Sequence, residues 1–420
     1  MKILPRLTLG VGDRFGLEGE AQLSAIQAAV RAGFPVHPVW NKSNREHTII
    51  GSEPQDLRAE ADAATRSLGW TEAYFVDADH INLQTVDRFI GCSDFFTLDV
   101  ADYSGRPAPA EDLAAFSSRH ARLVGSHPLP NLDAPVIITA EDLRRTSAKF
   151  LWAMQEAGRI YRHVLARKGD EPFAVEVSVD ETDTPQTPAE LLLILAMISD
   201  EGIPAQTIAP KFTGRFNKGV DYQGDLSAFE REFDADLAVI RYAVEALGLP
   251  PSLKISVHSG SDKFSLYPII RRLMEKHGAG LHLKTAGTTW LEEVTALAEA
   301  DGDGLALAKE IYAGALGPAA ELIAPYAPVV EIDVPSLPSV DAVAAWTAEE
   351  FVGALDHTPG CPAYNPQFRQ FIHVSFKVAA AMGARFTDAL RARRTAVGAR
   401  VRGNLLHKHL EPLFGFRSGD

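Results

Sequence analysis

Phe173-Ala-Val175-Glu176-Val177-Ser178-Val179-Asp180-Glu181-Thr182 is a β-branched run that alternates with polar and acidic residues and then ends in them. Along a strand, that alternation puts Glu176, Ser178 and Asp180 on one face and Val175, Val177 and Val179 on the other. Three further blocks end apolar runs in the same way: Asp77-Ala-Asp79-His80, His258-Ser-Gly-Ser261-Asp262-Lys263 and His282-Leu-Lys284-Thr285-Ala-Gly287-Thr288. A parallel strand is apolar until it reaches the face where chemistry is done, and there it presents groups to a metal or a proton. Strand ends of this kind imply one shared site.

Working outward, apolar runs of strand length recur at Arg6 to Gly12, Phe34 to Trp40, Ala73 to Ala78, Phe95 to Val100, Phe173 to Val179, Ala205 to Phe212, Leu253 to His258 and Gly280 to Thr285. Helical segments separate most of them. Thr187-Pro188-Ala-Glu190 carries a cap, a first-turn proline and a capping-box acid, and Glu141 to Lys168 reads as one long helix. Strands alternating with helices form parallel sheets, and eight such units closing on themselves give an α/β fold of the (β/α)8 TIM-barrel type. An open doubly wound sheet is the alternative. After the eighth strand come helical segments near Trp290 to Ala300, Leu305 to Gly314, Val340 to Leu355, Gln367 to Met382 and Asp388 to His409. Phe371, Ile372, Phe376, Val378 and Ala379 give this tail a broad apolar face. The expected organisation is a catalytic barrel over 1–330 and a C-terminal helical cap over 331–420, divided near Pro328 to Pro338.

With 420 residues and 46% hydrophobic content, the chain can bury a large core. A net charge of -14 and the lack of a Lys/Arg-rich stretch argue against a nucleic-acid partner, so a small molecule is the expected ligand. Cys92 and Cys361 are too few for a disulfide framework, and no signal peptide or membrane span is visible, so a cytoplasmic location is expected. Homo-oligomerisation through the tail is compatible with the sequence but marked by no pattern.

On the seventh expected strand, Lys254, Ser256 and His258 share a face, and on the eighth His282 and Lys284 do, with Leu281 and Leu283 facing the helices. Adjacent strands lie about 4.8 Å apart. Both imidazoles are therefore within reach of one ion at roughly 2.0–2.2 Å; the competing reading is two hydrogen-bonded core histidines. Glu176 is the first candidate for an oxygen ligand, against a buried ion pair with Lys211 or Lys284. Asp180, at its strand end, is a ligand or a base. Asp77, Asp79 and His80 cannot all converge if alternation holds. Asp79 or His80 is the favoured proton-transfer group, and the competing reading is that Asp77 and Asp99 merely satisfy backbone donors at the mouth. Lys263 is a further catalytic candidate. Ser43, Lys211, Arg215, Lys284, Arg369 and His373 are candidates for holding substrate, the last two four residues apart on one tail-helix face. Gly10-Val-Gly12-Asp-Arg-Phe-Gly16 spaces its third glycine wrongly for a dinucleotide fingerprint, and no P-loop, HExxH or GxSxG block occurs, so no nucleotide cofactor is expected.

Together, Gly10 through Gly16, Asp77 through His80, Phe96-Thr-Leu-Asp99, Glu176 through Thr182, Gly219-Val-Asp221-Tyr222-Gln-Gly224-Asp225, His258 through Phe264, His282 through Thr288 and Arg369-Gln-Phe-Ile-His373 resemble the tagaturonate (uronate) epimerase family along essentially the whole chain. The resemblance implies a divalent-metal-dependent isomerase of hexuronate breakdown, interconverting D-tagaturonate and D-fructuronate, with Glu176, His258 and His282 as ligands. Zinc, nickel, manganese and cobalt all suit such a donor set. Retro-aldol cleavage and re-addition is the expected chemistry. A ketose 4-epimerase acting on fructose or tagatose, a metal-dependent aldolase and a non-catalytic sugar-binding aldolase subunit are the alternatives. The block Trp40 to His47 is expected as a variable loop.

Overall fold

The computed structural model describes residues 1–285 and 287–418. Ten strands occur among them: β1 (Leu7–Val11), β2 (Val36–Ser43), β3 (Phe75–Ile81), β4 (Phe95–Asp99), β5 (Gly125–His127), β6 (Val136–Ile138), β7 (Ala174–Ser178), β8 (Thr207–Ala209), β9 (Lys254–Val257) and β10 (Leu281–Lys284). All except β5 and β6 form one closed barrel, in the order β1-β2-β3-β4-β7-β8-β9-β10. Closure comes from β1 pairing parallel with β10, Leu7 opposite Leu281 through Gly10 opposite Lys284, which excludes the open sheet. β5 and β6 are a separate antiparallel hairpin that has no counterpart among the expected strands.

Side-chain alternation sorts the barrel into an apolar outside and a polar inside. Leu9, Val76, Phe96, Leu98, Val175, Val177, Ile255, Val257, Leu281 and Leu283 face outward into the main core beneath the helices. Burying each such side chain stabilises the fold by about 1.5–3 kcal/mol relative to exposure. Inside, Leu4, Val39, Phe75, Phe95 and Ala174 form a small apolar plug at the strands' N-terminal ends. Above it the interior turns polar, with Thr8, Asp77, Thr97, Glu176, Ser256 and His282 all buried.

The expected caps are present. Thr187 accepts the Glu190 N–H in a capping box with Pro188 in the first turn, and Thr139 opens the long helix Ala140–Lys168 in the same way. The block Trp40 to His47 is a strand end and a helix rather than a loop. β2 runs on to Ser43, which caps helix Asn44–Ile50 through a Ser43/Glu46 capping box.

The C-terminal region does two jobs. Its final stretch, helix Arg394–Gly403 and the turns to Phe414, packs between the first barrel helix, Gly19–Arg31, and helix Tyr267–His277, thereby completing the outer ring. Leu405, Leu406, Leu410 and Leu413 accordingly belong to the barrel core. The residues from Trp290 to Val401 build a second apolar core of their own, with Phe15, Leu17, Ile49 and Ile50 from the barrel's loops packed against it. Tyr326, Val330 and Leu337 are part of that core, so the segment 328–338 runs through the helical layer. No helix among the described residues is long and apolar enough to cross a membrane.

Candidate active site

At the centre of the polar interior is Lys284. Its ammonium donates to Asp79 Oδ1 at 2.8 Å, Asp77 Oδ2 at 3.0 Å and Thr97 Oγ1 at 3.0 Å, and lies 3.2 Å from Glu176 Oε1. Burial by itself raises the Glu176 and Asp79 pKa values, but Lys284 and the neighbouring imidazoles outweigh it and hold both well below the usual carboxylate range. Asp77 is raised, because burial there exceeds the pull of Lys284 and Asp79 adds like-charge repulsion. Glu176 thus sits in the buried ion pair that was its alternative reading, and Lys284, expected on substrate, is the countercharge of the barrel interior.

One layer nearer the mouth, one ligand atom each from His80, Asp180 and His258 lie within 4.8 Å of one another, the sole such group of three among the described residues. Each imidazole has a carboxylate on one side. His258 Nε2 is 2.6 Å from Glu176 Oε1, and His80 Nδ1 is 3.2 Å from Asp99 Oδ2. A carboxylate so placed fixes the tautomer and aims the other nitrogen, as in metal sites where a ligating histidine is oriented from behind. That other nitrogen of His258, Nδ1, is 3.1 Å from Asp180 Oδ2 but makes no aligned hydrogen bond. Although burial lowers the His80 pKa, Asp79, Asp99 and Asp180 push it up to about 10.

Backbone strain converges here. His80, Ser259 and Asp262 have φ of 52°, 48° and 63°. Left-handed residues other than glycine are uncommon, cost of order 1–3 kcal/mol and cluster at functional sites. The pairing of β3 with β4 shifts register between Ala78 and Ile81, which breaks the alternation. His80 therefore turns back toward Asp79, its Nε2 3.8 Å from Asp79 Oδ1, so these two neighbours in sequence line the same cavity, while Asp77 stays below with Lys284 and Thr97.

The other sequence candidates fall in several places. His282 is fully buried with Nδ1 3.0 Å from Thr8 Oγ1 and its ring against Phe95, and burial pushes its pKa down to about 3. It belongs to the layer below His258. Lys263 commits three N–H donors to the carbonyls of Asn217, Val220 and Ser261, and burial lowers its pKa to about 8. Arg369 donates to Asp262, Gly219 O and Leu355 O, which ties the tail to the loops after β8 and β9. Lys211 donates to Thr182 O, Ser43 is the helix cap already described, and Arg215 pairs with Glu331 at 2.5 Å on the rim.

Two cavities share Asp180, Glu181, His258 and Ser259. The outer, of about 330 Å³, is lined by Lys211, Arg215 and tail residues 327–330, and the inner, of about 70 Å³, by His80, Asp79, Lys284 and His373. Arg14, Asn41, Glu46 and Lys218 also line the inner cavity and were not singled out in the sequence. Arg14 stood inside the Gly10 to Gly16 block and Asn41 and Glu46 inside the Trp40 to His47 block, but without a role; a lone cation or amide near a strand end carries no mark of its partners.

A sequence model of the tagaturonate epimerase family matches residues 3–393. A tagaturonate/fructuronate epimerase from Thermotoga maritima is 28% identical over 383 residues, spanning 88% of this chain and 73% of that protein. Fructuronate-tagaturonate epimerase UxaE from Cohnella laeviribosi superposes with a TM-score of 0.82 in its two-glycerol complex and 0.80 in its native form, at 24% identity, over 98% of this chain and 82% of that one. These superpositions speak for the fold; the family match, over nearly the whole length, makes the assignment. The chain is an isomerase and belongs to the tagaturonate epimerase family.

Proposed function

We propose that this protein interconverts D-tagaturonate and D-fructuronate by retro-aldol cleavage and re-addition, with a divalent ion held by His80, Asp180 and His258. The observation that carries the reading is the convergence of two imidazoles and a carboxylate, each imidazole backed by a second carboxylate. Mixed nitrogen and oxygen donors suit zinc, nickel, manganese or cobalt. In this assignment Glu176 orients His258 instead of ligating, and His282 supports the layer beneath. When bound, such an ion polarises the substrate ketone as a Lewis acid.

The two uronates differ at the carbon β to the ketone, whose hydrogen the carbonyl does not acidify, so the carbon–carbon bond between the α and β positions must break. Asp79, on the inner cavity wall and kept ionised by Lys284, takes the proton of the β-hydroxyl. The electron pair of the breaking bond passes to the α-carbon as an enediolate, and the β-carbon becomes an aldehyde. Rotation of the aldehyde and attack by the enediolate on its other face re-form the bond, and Asp79 returns the proton. No electrons are gained or lost, so no redox cofactor is required. Ala327 to Val330 and His373 of the tail wall the cavities and retain the fragments. Unpaired Cys92 and Cys361 agree with work in a reducing cytoplasm.

Proton NMR of fructuronate incubated first with chelator-treated protein and then with Zn²⁺, Ni²⁺ or Mn²⁺ restored tests this. Ion-dependent appearance of tagaturonate is expected. Free three-carbon products would identify an aldolase instead, and no conversion with any ion would refute the reading.

A further inference from the structure

Arg14 is buried, 5% exposed, yet its guanidinium is only partly used. Nη2 meets Glu46 Oε1 at 3.3 Å and His373 Nε2 at 3.4 Å, while Nε and Nη1 have no hydrogen-bond partner. The Phe376 ring, 4.3 Å from the guanidinium carbon, holds it in place. Asn41, 3% exposed, has a buried Nδ2 equally without a partner. Lys218 is half-buried, in contrast to Arg14 and Asn41; its ammonium makes no hydrogen bond among the described residues, and burial lowers its pKa against the pull of Glu46. All three side chains line the inner cavity that also holds His80, Asp180 and His258. Buried donors left unmade are costly, and charged ones the more so. Donors gathered in this way around a cavity are accounted for by an anionic oxygen ligand.

We propose that Arg14, Asn41 and Lys218 form the receptor for the substrate's carboxylate, an inference that rests on the epimerase reading above. Cleavage between the α- and β-carbons leaves the carboxylate on the aldehyde fragment and none on the ketone-derived half. A receptor for that carboxylate is therefore the grip by which the aldehyde fragment stays in place while its carbonyl turns over. Lys211 and Arg215, which line the outer cavity, are engaged by Thr182 O and Glu331. The neutral imidazole of His373, held far below its usual pKa by burial and by Arg14 and Lys218, accepts from Arg14 and adds no negative charge to compete with the ligand.

The test compares fructuronate with fructose, which carries a hydroxymethyl group in place of the carboxylate. The variants are Lys218→Gln, Arg14→Gln and Arg14→Lys, each loaded with the ion and checked for ion content and near-UV circular dichroism. One charge-assisted contact corresponds to about 10- to 100-fold in affinity. Lys218→Gln and Arg14→Gln should therefore raise the KM for fructuronate and its calorimetric Kd by that factor and leave fructose binding within about twofold. Arg14→Lys, which keeps the charge and loses the planar fork, should recover part of the loss. Arg14→Gln should also release a three-carbon aldehyde acid into solution during turnover. Unchanged fructuronate binding, or equal losses for both sugars, would overturn the proposal. Should Arg14→Gln unfold, Lys218→Gln decides alone. Wild-type protein that fails to convert fructuronate would overturn the epimerase reading first and this receptor with it.

Discussion

Replacing Lys284 by Met keeps the aliphatic stem and removes the ammonium that serves Asp77, Asp79 and Thr97 and faces Glu176. Asp77 and Glu176 are fully buried, so water cannot take over. Removing one partner from a buried ion pair costs about 3–5 kcal/mol, a large share of the roughly 5–15 kcal/mol that holds a native protein together. Because uncompensated carboxylates take up protons, their folded pKa values rise above the unfolded values near 4. Such groups bind more protons folded than unfolded, so the deficit grows as pH rises through that window. Guanidinium unfolding followed by tryptophan fluorescence should show Lys284→Met destabilised by about 3–5 kcal/mol at pH 8 and by less at pH 5. Adding Asp77→Asn should restore part of the loss at pH 8, since the amide oxygen still accepts from Thr97. A loss under about 1 kcal/mol, or one independent of pH, would refute the idea that Lys284 neutralises the barrel interior.

Three further outcomes follow from named contacts. Glu18 is buried beside Asp13, and burial followed by that charge pushes its pKa up to about 8. Its protonated form is the folded-state form, so stability should fall as pH rises from about 4.5 to 8, by a few kcal/mol at roughly 1.4 kcal/mol per unit, and Glu18→Gln should flatten the thermal-midpoint profile over that range. Glu176→Gln should weaken ion binding, measured by chelator competition, about 10- to 100-fold, while His258→Ala should abolish it. Arg369→Met leaves Asp262 buried without its main countercharge and should destabilise the protein by about 3–5 kcal/mol in the same denaturation assay.

Period-two alternation suffices to read the barrel, its outward Val and Leu faces and the inward placement of Glu176, His258, His282 and Lys284. It does not reveal who meets whom across the lumen. Lys284 on β10 reaches Asp77 and Asp79 on β3 only because the barrel closes. Alternation also fails at a bulge, and nothing in Asp77-Ala-Asp79-His80 announces the left-handed φ that turns His80 inward. The helix after β2 was readable, since Ser43-Asn-Arg-Glu46 has capping-box spacing. The use of the last residues to complete the helical ring was not, because an amphipathic tail helix fits a cap and a ring equally well. Arg14, Asn41 and Lys218 stand out through the partners they lack, a property of packing that no sequence spacing encodes.

Anomalous diffraction from crystals soaked in Mn²⁺ would locate the ion directly. One strong peak bounded by His80, Asp180 and His258 is expected, with Glu176 behind His258 and His282 outside the coordination sphere. A peak between Glu176, His258 and His282, or none in a crystal whose dissolved protein converts fructuronate in the presence of Mn²⁺, would contradict that placement.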